Sequence, residues 1–232
     1  MKLYIESISS WSTSNAEHAN TSEKIQVKSS VWPKLEFVPA MQRRRLSPFA
    51  KIALYTAENA LSEPLAVPEQ IDIIFSSRHG DLHKTPGLYS ILKQNKQAIN
   101  AISAGKDSFF YAFVDAYARL KSGRANKLLI VHADRELPES YSQFKDEQQI
   151  DHAVSMVVTL IPTTTTLAAI DVSFSALAAP SIDNEKQSLE LNLPAGLCFI
   201  DWFNQENTDS TLKFASERHL WTCDLVSGSA HV

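Results

Sequence analysis

The sequence predicts an α/β fold in which helices cover a mostly parallel β-sheet, and two observations support this prediction. Short apolar segments typical of buried strands alternate with segments whose apolar residues recur every three or four positions, as on one face of a helix. Strands connected through helices run parallel, because the helix returns the chain to the same end of the sheet. With 232 residues, 44% of them hydrophobic, the chain is long enough to bury such a core, and we expect one domain over residues 1–232.

Strand and helix signals are clear in the first half of the chain. Residues 3–8 alternate between apolar and polar side chains, which predicts the first strand. A helix is predicted from Ser47, a favoured capping residue, with Pro48 in the first helical position and Pro64 beyond its end. Residues 71–76 (IDIIFS) form an apolar run that is typical of a strand buried on both faces.

The second half begins with the most regular helix of the chain. Apolar residues, among them Phe109, Phe110 and Phe113, recur at helical spacing from residue 109 to residue 120, and Gly123 ends the helix. A buried strand is predicted next, over residues 128–131. Four further strands are predicted over residues 153–160, 167–174, 197–203 and 219–225.

Composition argues against several classes of function. The 22 basic and 26 acidic residues give a net charge of −4, which is not the electrostatic footprint of a nucleic-acid-binding protein. No apolar run approaches the ~18 residues that a membrane helix needs, and the N-terminus lacks the pattern of a signal peptide. Cys198 and Cys223 are too few for a disulfide framework or a cysteine-based zinc site, so we interpret them as reduced thiols of a cytoplasmic protein. We expect neither a metal nor a cofactor.

Three blocks of sequence resemble the β-ketoacyl synthases. They are RRRLSPFAKIALYTAENAL (residues 43–61), PGLYSI (residues 86–91), and AISAGKDSFFYAFVDAYARLKSG with KLLIVHAD (residues 101–123 and 127–134). In those enzymes the first block resembles the helix before the second core strand, and the second resembles the element upstream of the nucleophile. The third resembles the strand, the nucleophile turn, the helix and the strand that follow. The three blocks of this chain have a similar order and spacing. The chain most resembles the short ketosynthase-like N-terminal domain family, whose members resemble chain-length-factor partners of ketosynthases in aryl polyene biosynthesis.

This resemblance implies a fold and a role. The fold is one thiolase-like half, a three-layer mixed sheet with covering helices, without the second half that carries the two catalytic histidines of a full synthase. The nucleophile position falls on Lys106, with Gly105, Asp107 and Ser108 around it, so no catalytic residue and no independent activity are expected. The implied role is a non-catalytic subunit that pairs with a true β-ketoacyl synthase and shapes its acyl pocket.

The resemblance also implies several contact surfaces. The strand before the nucleophile pairs across the dimer axis of thiolase folds, which implies a partner interface along Ala98, Ile99, Asn100, Ala101, Ile102, Ser103 and Ala104. The basic run Arg43, Arg44 and Arg45 either contacts an acyl carrier protein or is a solvated approach to the helix. Phe109, Phe110 and Phe113 either line an acyl pocket or belong to the core. Lys106 either projects into the partner's pocket or is an exposed turn residue.

The chain departs from the family pattern between Thr85 and Pro86. The segment SSRHGDLHKT (residues 76–85) runs directly into PGLYSI, where the family has a further stretch of sequence. Either this stretch is deleted from the protein, or a mobile loop is missing from the sequence.

Two other functions remain open. The triplet Arg78, His79 and Gly80, directly after the strand at residues 71–76, is similar to the motif of histidine phosphatases, in which the histidine accepts the phosphoryl group. His132 would then supply the second histidine, although the triplet stands far into the chain for such an enzyme. A polar loop is the simpler interpretation of this segment. The third hypothesis is a stand-alone module that binds an acyl group or an acyl carrier protein.

Overall fold

One mixed β-sheet runs through the molecule and carries helices on both of its faces. The computed structural model describes residues 1–13, 26–28, 32–61, 71–80, 98–177, 192–205 and 211–226. The block PGLYSI and the junction of Thr85 with Pro86 lie outside these residues. In the described part of the chain the sheet has nine strands. They are β1 (Lys2–Ser12), β2 (Gln26–Lys28), β3 (Asp72–Ser76), β4 (Ile99–Ile102), β5 (Lys127–Asp134), β6 (His152–Thr159), β7 (Ala168–Ala176), β8 (Thr211–Ala215) and β9 (His219–Leu225).

The order of the strands divides the sheet into two parts. Eight strands follow the order β4-β3-β5-β6-β1-β7-β9-β8, and β2 adds to β1. β4, β3 and β5 pair in parallel, whereas every pairing from β5 onward along this order is antiparallel. The sheet is therefore mixed, as the family resemblance implies, and not mostly parallel, as the alternation of elements predicts. Two connections contribute to this difference. β5 and β6 are joined by residues 135–151, which contain no α-helix, and β8 and β9 are joined by a tight turn, whereas a parallel pair needs a longer crossover connection, usually through a helix.

Four helices are described: α1 (Ala40–Arg43), α2 (Pro48–Leu61), α3 (Ser108–Lys121) and α4 (Ala195–Phe203). The predicted start of α2 is confirmed, since the Ser47 hydroxyl accepts a hydrogen bond of 3.1 Å from the backbone N–H of Ala50 and Pro48 is the first helical residue. The predicted end of α3 is confirmed by Gly123, whose φ of +70° favours glycine.

α4 corrects one prediction from the sequence. Residues 197–203 were expected to form a strand, but they are helical, and α4 begins directly after Pro194. Leu197, Phe199, Ile200 and Trp202 are buried in this helix. A short run that is apolar on most sides has no clear period, so its composition fits a buried helix as well as a buried strand.

Two hydrophobic cores lie on opposite faces of the sheet. Alternate residues of β5 face each of them: Leu128 and Ile130 pack in the core that contains α3 and α4, and Leu129 and Val131 pack in the core that contains α2. The arrangement has three layers, α2 on one side of the sheet and α3 with α4 on the other. No helix in the described part of the chain is long and apolar enough to cross a membrane.

Candidate functional site

The candidate site is the turn between β4 and α3, which we call the elbow (residues 103–108). Gly105 has a φ of +59°, a conformation that a residue with a Cβ adopts only under strain. Ser108 closes the turn: its hydroxyl accepts a hydrogen bond of 2.8 Å from the backbone N–H of Ala104 and donates one of 2.7 Å to the carbonyl of Gly105. The predicted turn and helix start are therefore present as a well-formed unit.

Asp107 stands in the capping position of α3 but does not cap it. Its buried carboxylate instead accepts a hydrogen bond of 2.6 Å from the indole N–H of Trp221 in β9. The imidazole Nδ1 of His219, also in β9, lies 3.4 Å from the same carboxylate. Asp107 thus ties the elbow to the far part of the sheet.

Lys106 is paired within its own chain. Its ammonium group lies 3.3 Å from the Asp146 carboxylate and donates a hydrogen bond of 3.3 Å to the Asp146 carbonyl, with 22% of the side chain exposed. This geometry occupies Lys106 without a partner protein. Neither interpretation of Lys106 that the sequence left open includes such an internal ion pair.

Asp146 belongs to a wider charged network that reaches the strand β3. The guanidinium of Arg78 contacts both carboxylate oxygens of Asp146 and lies 2.8 Å from the Glu147 carboxylate. Burial opposes ionisation of Asp146, but the hydrogen bond and charge of Arg78 outweigh it and hold the pKa of Asp146 below its usual value. At Glu147 burial dominates and raises the pKa, although Arg78 partly offsets it.

A surface cavity of about 430 Å³ opens beside the elbow. Its walls are the turn residues 103–107, Tyr111 of α3, and the charged pair Glu217 and Arg218 from the turn between β8 and β9. Backbone N–H groups at the start of α3 give this end of the helix a positive potential. Carboxylates and cations both line the cavity, so it can hold a polar group, but no thiol is positioned to react with such a group.

Both cysteines of the chain lie outside the elbow. Cys198 is in α4 and Cys223 in β9. Burial raises the pKa of the Cys198 thiol to about 11 and that of Cys223 to about 12, so both are protonated at neutral pH. Because the thiolate is the nucleophile in thioester chemistry, neither cysteine is prepared for it.

The triplet Arg78, His79 and Gly80 does not form a phosphate site. The Arg78 guanidinium is committed to Asp146 and Glu147, and the backbone N–H groups of Arg78 and His79 point at the Asp134 carboxylate, 2.8 Å and 3.3 Å away. The charge of Arg78 is already neutralised by two carboxylates, so it would attract a phosphate only weakly. The negative charge of Asp134 would repel a phosphate bound at the same place. The geometry does not support the phosphatase alternative.

His132 is buried, and its hydrogen bonds were not foreseen from the sequence. Its Nδ1 lies 2.9 Å from the Ser76 hydroxyl and its Nε2 lies 3.2 Å from Asp134. Burial opposes the charge on Asp134, but the hydrogen bond and charge of His132, together with other donors, hold the pKa of Asp134 down to about 2. Ser76 is 0% exposed, so this serine, histidine and aspartate are closed to substrate. The contact between His132 and Asp134 could have been predicted from their spacing, because two residues separated by one position in a strand have their side chains on the same face.

The segment expected at a partner interface forms an edge of the sheet. β4 ends the strand order, and within the described residues only β3 pairs with it. Ala101, Ser103 and Ala104 are exposed, and Ile99, Asn100 and Ile102 are half-buried. Ile102 packs against the core of its own chain.

The remaining sequence-derived candidates have separate locations. Phe109, Phe110 and Phe113 are buried in the core between the sheet and α4, and none of them lines the cavity at the elbow. Arg43 donates hydrogen bonds of 3.1 Å and 3.3 Å to the carbonyls of Lys34 and Leu35, whereas Arg44 and Arg45 are exposed.

Two solved structures match this fold with TM-scores above 0.5, and a third is less similar. A chain from the complex of the ketosynthase ApeO with its chain length factor ApeC from Xenorhabdus doucetiae matches with a TM-score of 0.66 and 16% identity, over 97% of this chain and 99% of that one. ChlB3, described as an acyltransferase, matches with a TM-score of 0.51 and 17% identity, over 88% of this chain and 65% of that one. A 3-oxoacyl-[acyl-carrier-protein] synthase III from Aquifex aeolicus VF5 matches with a TM-score of 0.47 and 17% identity, over 75% of this chain and 58% of that one.

The sequence comparisons identify the family. No curated protein matches the chain significantly. The family model of the β-ketoacyl synthase N-terminal domain matches residues 9–88 and 84–222, which is most of the chain. The two matched segments meet close to Thr85 and Pro86, where the sequence departs from the family pattern. The chain therefore belongs to the β-ketoacyl synthase N-terminal domain family.

Proposed function

We propose that the chain is a non-catalytic, chain-length-factor-like subunit that pairs with a catalytic β-ketoacyl synthase and shapes the end of its acyl pocket. The observation that carries this proposal is an elbow that is fully built but lacks a cysteine, with Lys106 and Asp107 bound inside the chain. Decarboxylative condensation needs a thiolate at this place and two hydrogen-bonding or acid–base groups facing it. The synthase partner would supply these groups.

The similarity to a chain of a ketosynthase complex supports the same role. The chain matched in the ApeO–ApeC complex is covered to 99% by this one, whereas only 65% of ChlB3 is covered. That complex pairs a ketosynthase with a chain length factor, and by analogy we assign this chain to such a pair. The resemblance to the short ketosynthase-like family implies a product of the aryl polyene kind, built on an acyl carrier protein. Arg44 and Arg45 offer exposed positive charge for docking the carrier.

β4 is the proposed contact with the synthase. Each residue of a parallel strand directs its N–H and its C=O to the same side of the strand. The carbonyl of Ala98 accepts a hydrogen bond from the N–H of Ile73 in β3, and the carbonyl of Ile102 accepts one from the N–H of Ser77, directly after β3. The N–H and C=O of Ala101 therefore point away from β3, towards the open edge. Such an edge is a template for another strand, and obligate interfaces of this kind bury more than ~2,000 Å² in total.

An edge variant tests the pairing. Ala101→Pro removes one outward N–H and leaves the hydrogen bonds with β3 in place, as proline is tolerated on edge strands. The full-length protein, co-expressed with a tagged ketosynthase from the neighbouring genes, is expected to co-purify as wild type and to be lost with Ala101→Pro. Ala101→Val, which keeps the N–H, is the matched control and should be retained. Equal retention of the proline variant would contradict the proposed interface.

A labelling experiment tests the absence of catalysis. The isolated chain and its complex are incubated with a radiolabelled acyl-carrier thioester, and the proteins are separated under denaturing conditions. We expect label on the synthase subunit alone. A covalent acyl group on this chain would overturn the proposal, and carrier protein bound by this chain in the absence of any synthase would favour the stand-alone binding module.

A further inference from the structure

Two histidines and an aspartate meet at the end of the central strands, on the face of the sheet covered by α4. His132 and Asp134 are two residues apart in β5, so their side chains point to the same face. His152 begins β6 and lies directly opposite Asp134 in the antiparallel register. All three residues are at most 5% exposed. The fold therefore assembles a buried group of three potential metal ligands from two adjacent strands.

Each of the three side chains has two polar atoms, one available as a metal ligand and one that contacts another part of the chain. The Ser76 hydroxyl lies 2.9 Å from Nδ1 of His132, and Nδ1 of His152 donates a hydrogen bond of 2.8 Å to the carbonyl of Ile150. The Ser77 hydroxyl donates one of 2.7 Å to Oδ1 of Asp134. Outer contacts of this kind fix the orientation and tautomer of ligating histidines and carboxylates in metal sites.

One atom of the group has no partner. Nε2 of His152 is buried and, among the described residues, has no hydrogen-bond partner, while Nδ1 of the same ring carries the proton that binds Ile150. With its proton on Nδ1, the imidazole presents a lone pair at Nε2. Buried polar atoms are nearly always satisfied, so an unpaired lone pair in this position calls for a partner other than the described protein atoms.

The distances suit a small ion. One donor atom from each of the three side chains lies within 4.8 Å of the other two, and Nε2 of His132 is 3.2 Å from Oδ2 of Asp134. Ligands at the usual Zn–N and Zn–O lengths on a tetrahedron are separated by about 3.4 Å. The pair of His132 and Asp134 is already at this spacing, and a donor atom of His152 lies within 4.8 Å of both. The Ser76 hydroxyl can donate or accept, so it orients His132 in either tautomer.

We propose that His132, Asp134 and His152 bind a divalent transition-metal ion, Zn²⁺ by the nature of the donors. Two imidazole nitrogens and one carboxylate oxygen are ligands that zinc favours, and alkaline-earth ions prefer sites made of oxygen alone. These three side chains fill three of the four tetrahedral positions and leave the fourth to a water molecule. Because the group is buried, we assign the ion a structural role, which is to fasten the end of β5 to the start of β6. This proposal differs from the expectation, based on the sequence, that the protein binds no metal. It does not depend on the proposed pairing with a synthase.

The test uses the full-length, tag-free protein in the presence and absence of Zn²⁺. We expect about one ion per chain by elemental analysis after removal of loosely bound metal, and a melting temperature that rises with added Zn²⁺, because a ligand bound only by the folded state stabilises it. Co²⁺ substituted for Zn²⁺ should give the intense visible absorption bands of tetrahedral coordination. Wild-type protein that binds no stoichiometric metal and shows no shift in melting temperature would overturn the proposal by itself, whatever the variants do.

Two variants assign the ion to this group. His152→Asn keeps a donor near the position of Nδ1 and removes Nε2, so it should abolish the zinc-dependent shift in melting temperature and the tetrahedral cobalt bands. His79→Asn is the matched control, because this histidine lies beside the group and contributes only its backbone N–H, and it should behave as wild type. A folded His152→Asn protein that keeps the metal would overturn the assignment.

Discussion

The indole N–H of Trp221 donates a hydrogen bond of 2.6 Å to the carboxylate of Asp107, so the last described strand is bound directly to the elbow. The two residues are 114 positions apart in the sequence. Trp221 is 0% exposed and stacks on Phe110 of α3, with ring centroids 5.1 Å apart. The start of α3 is therefore positioned by β9 as well as by β4.

Trp221→Phe tests the value of this contact. Phenylalanine retains an aromatic ring against Phe110 but removes the N–H, which leaves the buried Asp107 carboxylate without its shortest hydrogen bond. A buried acceptor that loses its donor costs about 1–3 kcal/mol. We expect the free energy of unfolding, measured with denaturant, to fall by about that amount.

A double-mutant cycle separates the hydrogen bond from the loss of ring size. In the background of Asp107→Ala the carboxylate is absent, so Trp221→Phe should cost much less than in the wild-type background. If the two substitutions are additive, the hydrogen bond does not contribute to stability and the tie between β9 and the elbow is a matter of ring packing alone.

Arg78 and Lys106 share Asp146 but should differ in their contribution to stability. The Arg78 side chain is 8% exposed and faces two carboxylates, whereas Lys106 is more exposed and faces one. Removal of a buried partner leaves charge uncompensated, and we expect Arg78→Met to cost about 3 kcal/mol. Lys106→Met should cost less than about 1 kcal/mol, because Asp146 keeps Arg78 and the pair is partly solvated. Denaturant unfolding at neutral pH measures both, and equal costs would contradict this ranking.

Glu147 gives the network a distinctive pH dependence. Burial raises its pKa above the usual 4.5, so the folded protein binds this proton more tightly than the unfolded chain does. Between the unfolded and folded pKa values stability therefore falls as pH rises. Glu147→Gln keeps an acceptor for Arg78 and removes the titration. We expect the free energy of unfolding of the variant, relative to wild type, to improve as pH increases from about 4 to 7.

Asp146→Asn is the control, because its effect on the free energy of unfolding should change with pH in the opposite direction. Arg78 holds the pKa of Asp146 below its usual value of 3.8, so the stabilisation from this carboxylate is present above that pH and is lost as pH falls through the folded pKa. The Asn variant should therefore lose most stability at neutral pH and least in acid. The same sign of pH dependence for both variants would contradict the assigned pKa directions.

The sequence predicted the elements with strong local signals. α2 and α3 carry capping residues and a long helical period, and β9 was predicted with its observed bounds, residues 219–225. α4 was missed because nine residues with few polar positions show no period that distinguishes a helix from a strand. The hydrophobic pattern therefore indicated an α/β fold but did not distinguish a helix from a strand in this short apolar segment.

The candidate site could be predicted only in part. The absence of a cysteine from the elbow is visible in the sequence, but the partners of its polar residues are not. Lys106 pairs with Asp146 and Asp107 with Trp221, contacts that depend on how distant elements pack. The group of His132 and His152 depends on the register of β5 with β6, which local pattern does not specify.

Gly196 sets the distance between α4 and the buried histidines, and its replacement tests that packing. A Cβ at this position would lie 3.2 Å from Cδ2 of His132, 3.4 Å from Cγ2 of Val154 and 3.5 Å from Cδ2 of His152. His132 cannot yield easily, because it is hydrogen-bonded at one nitrogen, paired at the other, and packed edge-on against Phe109. We therefore expect Gly196→Ala to lower the free energy of unfolding by about 1–3 kcal/mol through overpacking, in spite of the better helix propensity of alanine.

The chemical shifts of the imidazole protons show which histidine rings are displaced by the methyl group of Gly196→Ala. In NMR spectra the Hδ2 resonances of His132 and His152 should shift, since both Cδ2 atoms face the new methyl group. The resonances of His79 and His219 serve as internal controls, because neither ring contacts Gly196, and they should stay in place. A variant that is as stable as wild type, with His132 and His152 unshifted, would show that α4 lies farther from these rings than the structure has it.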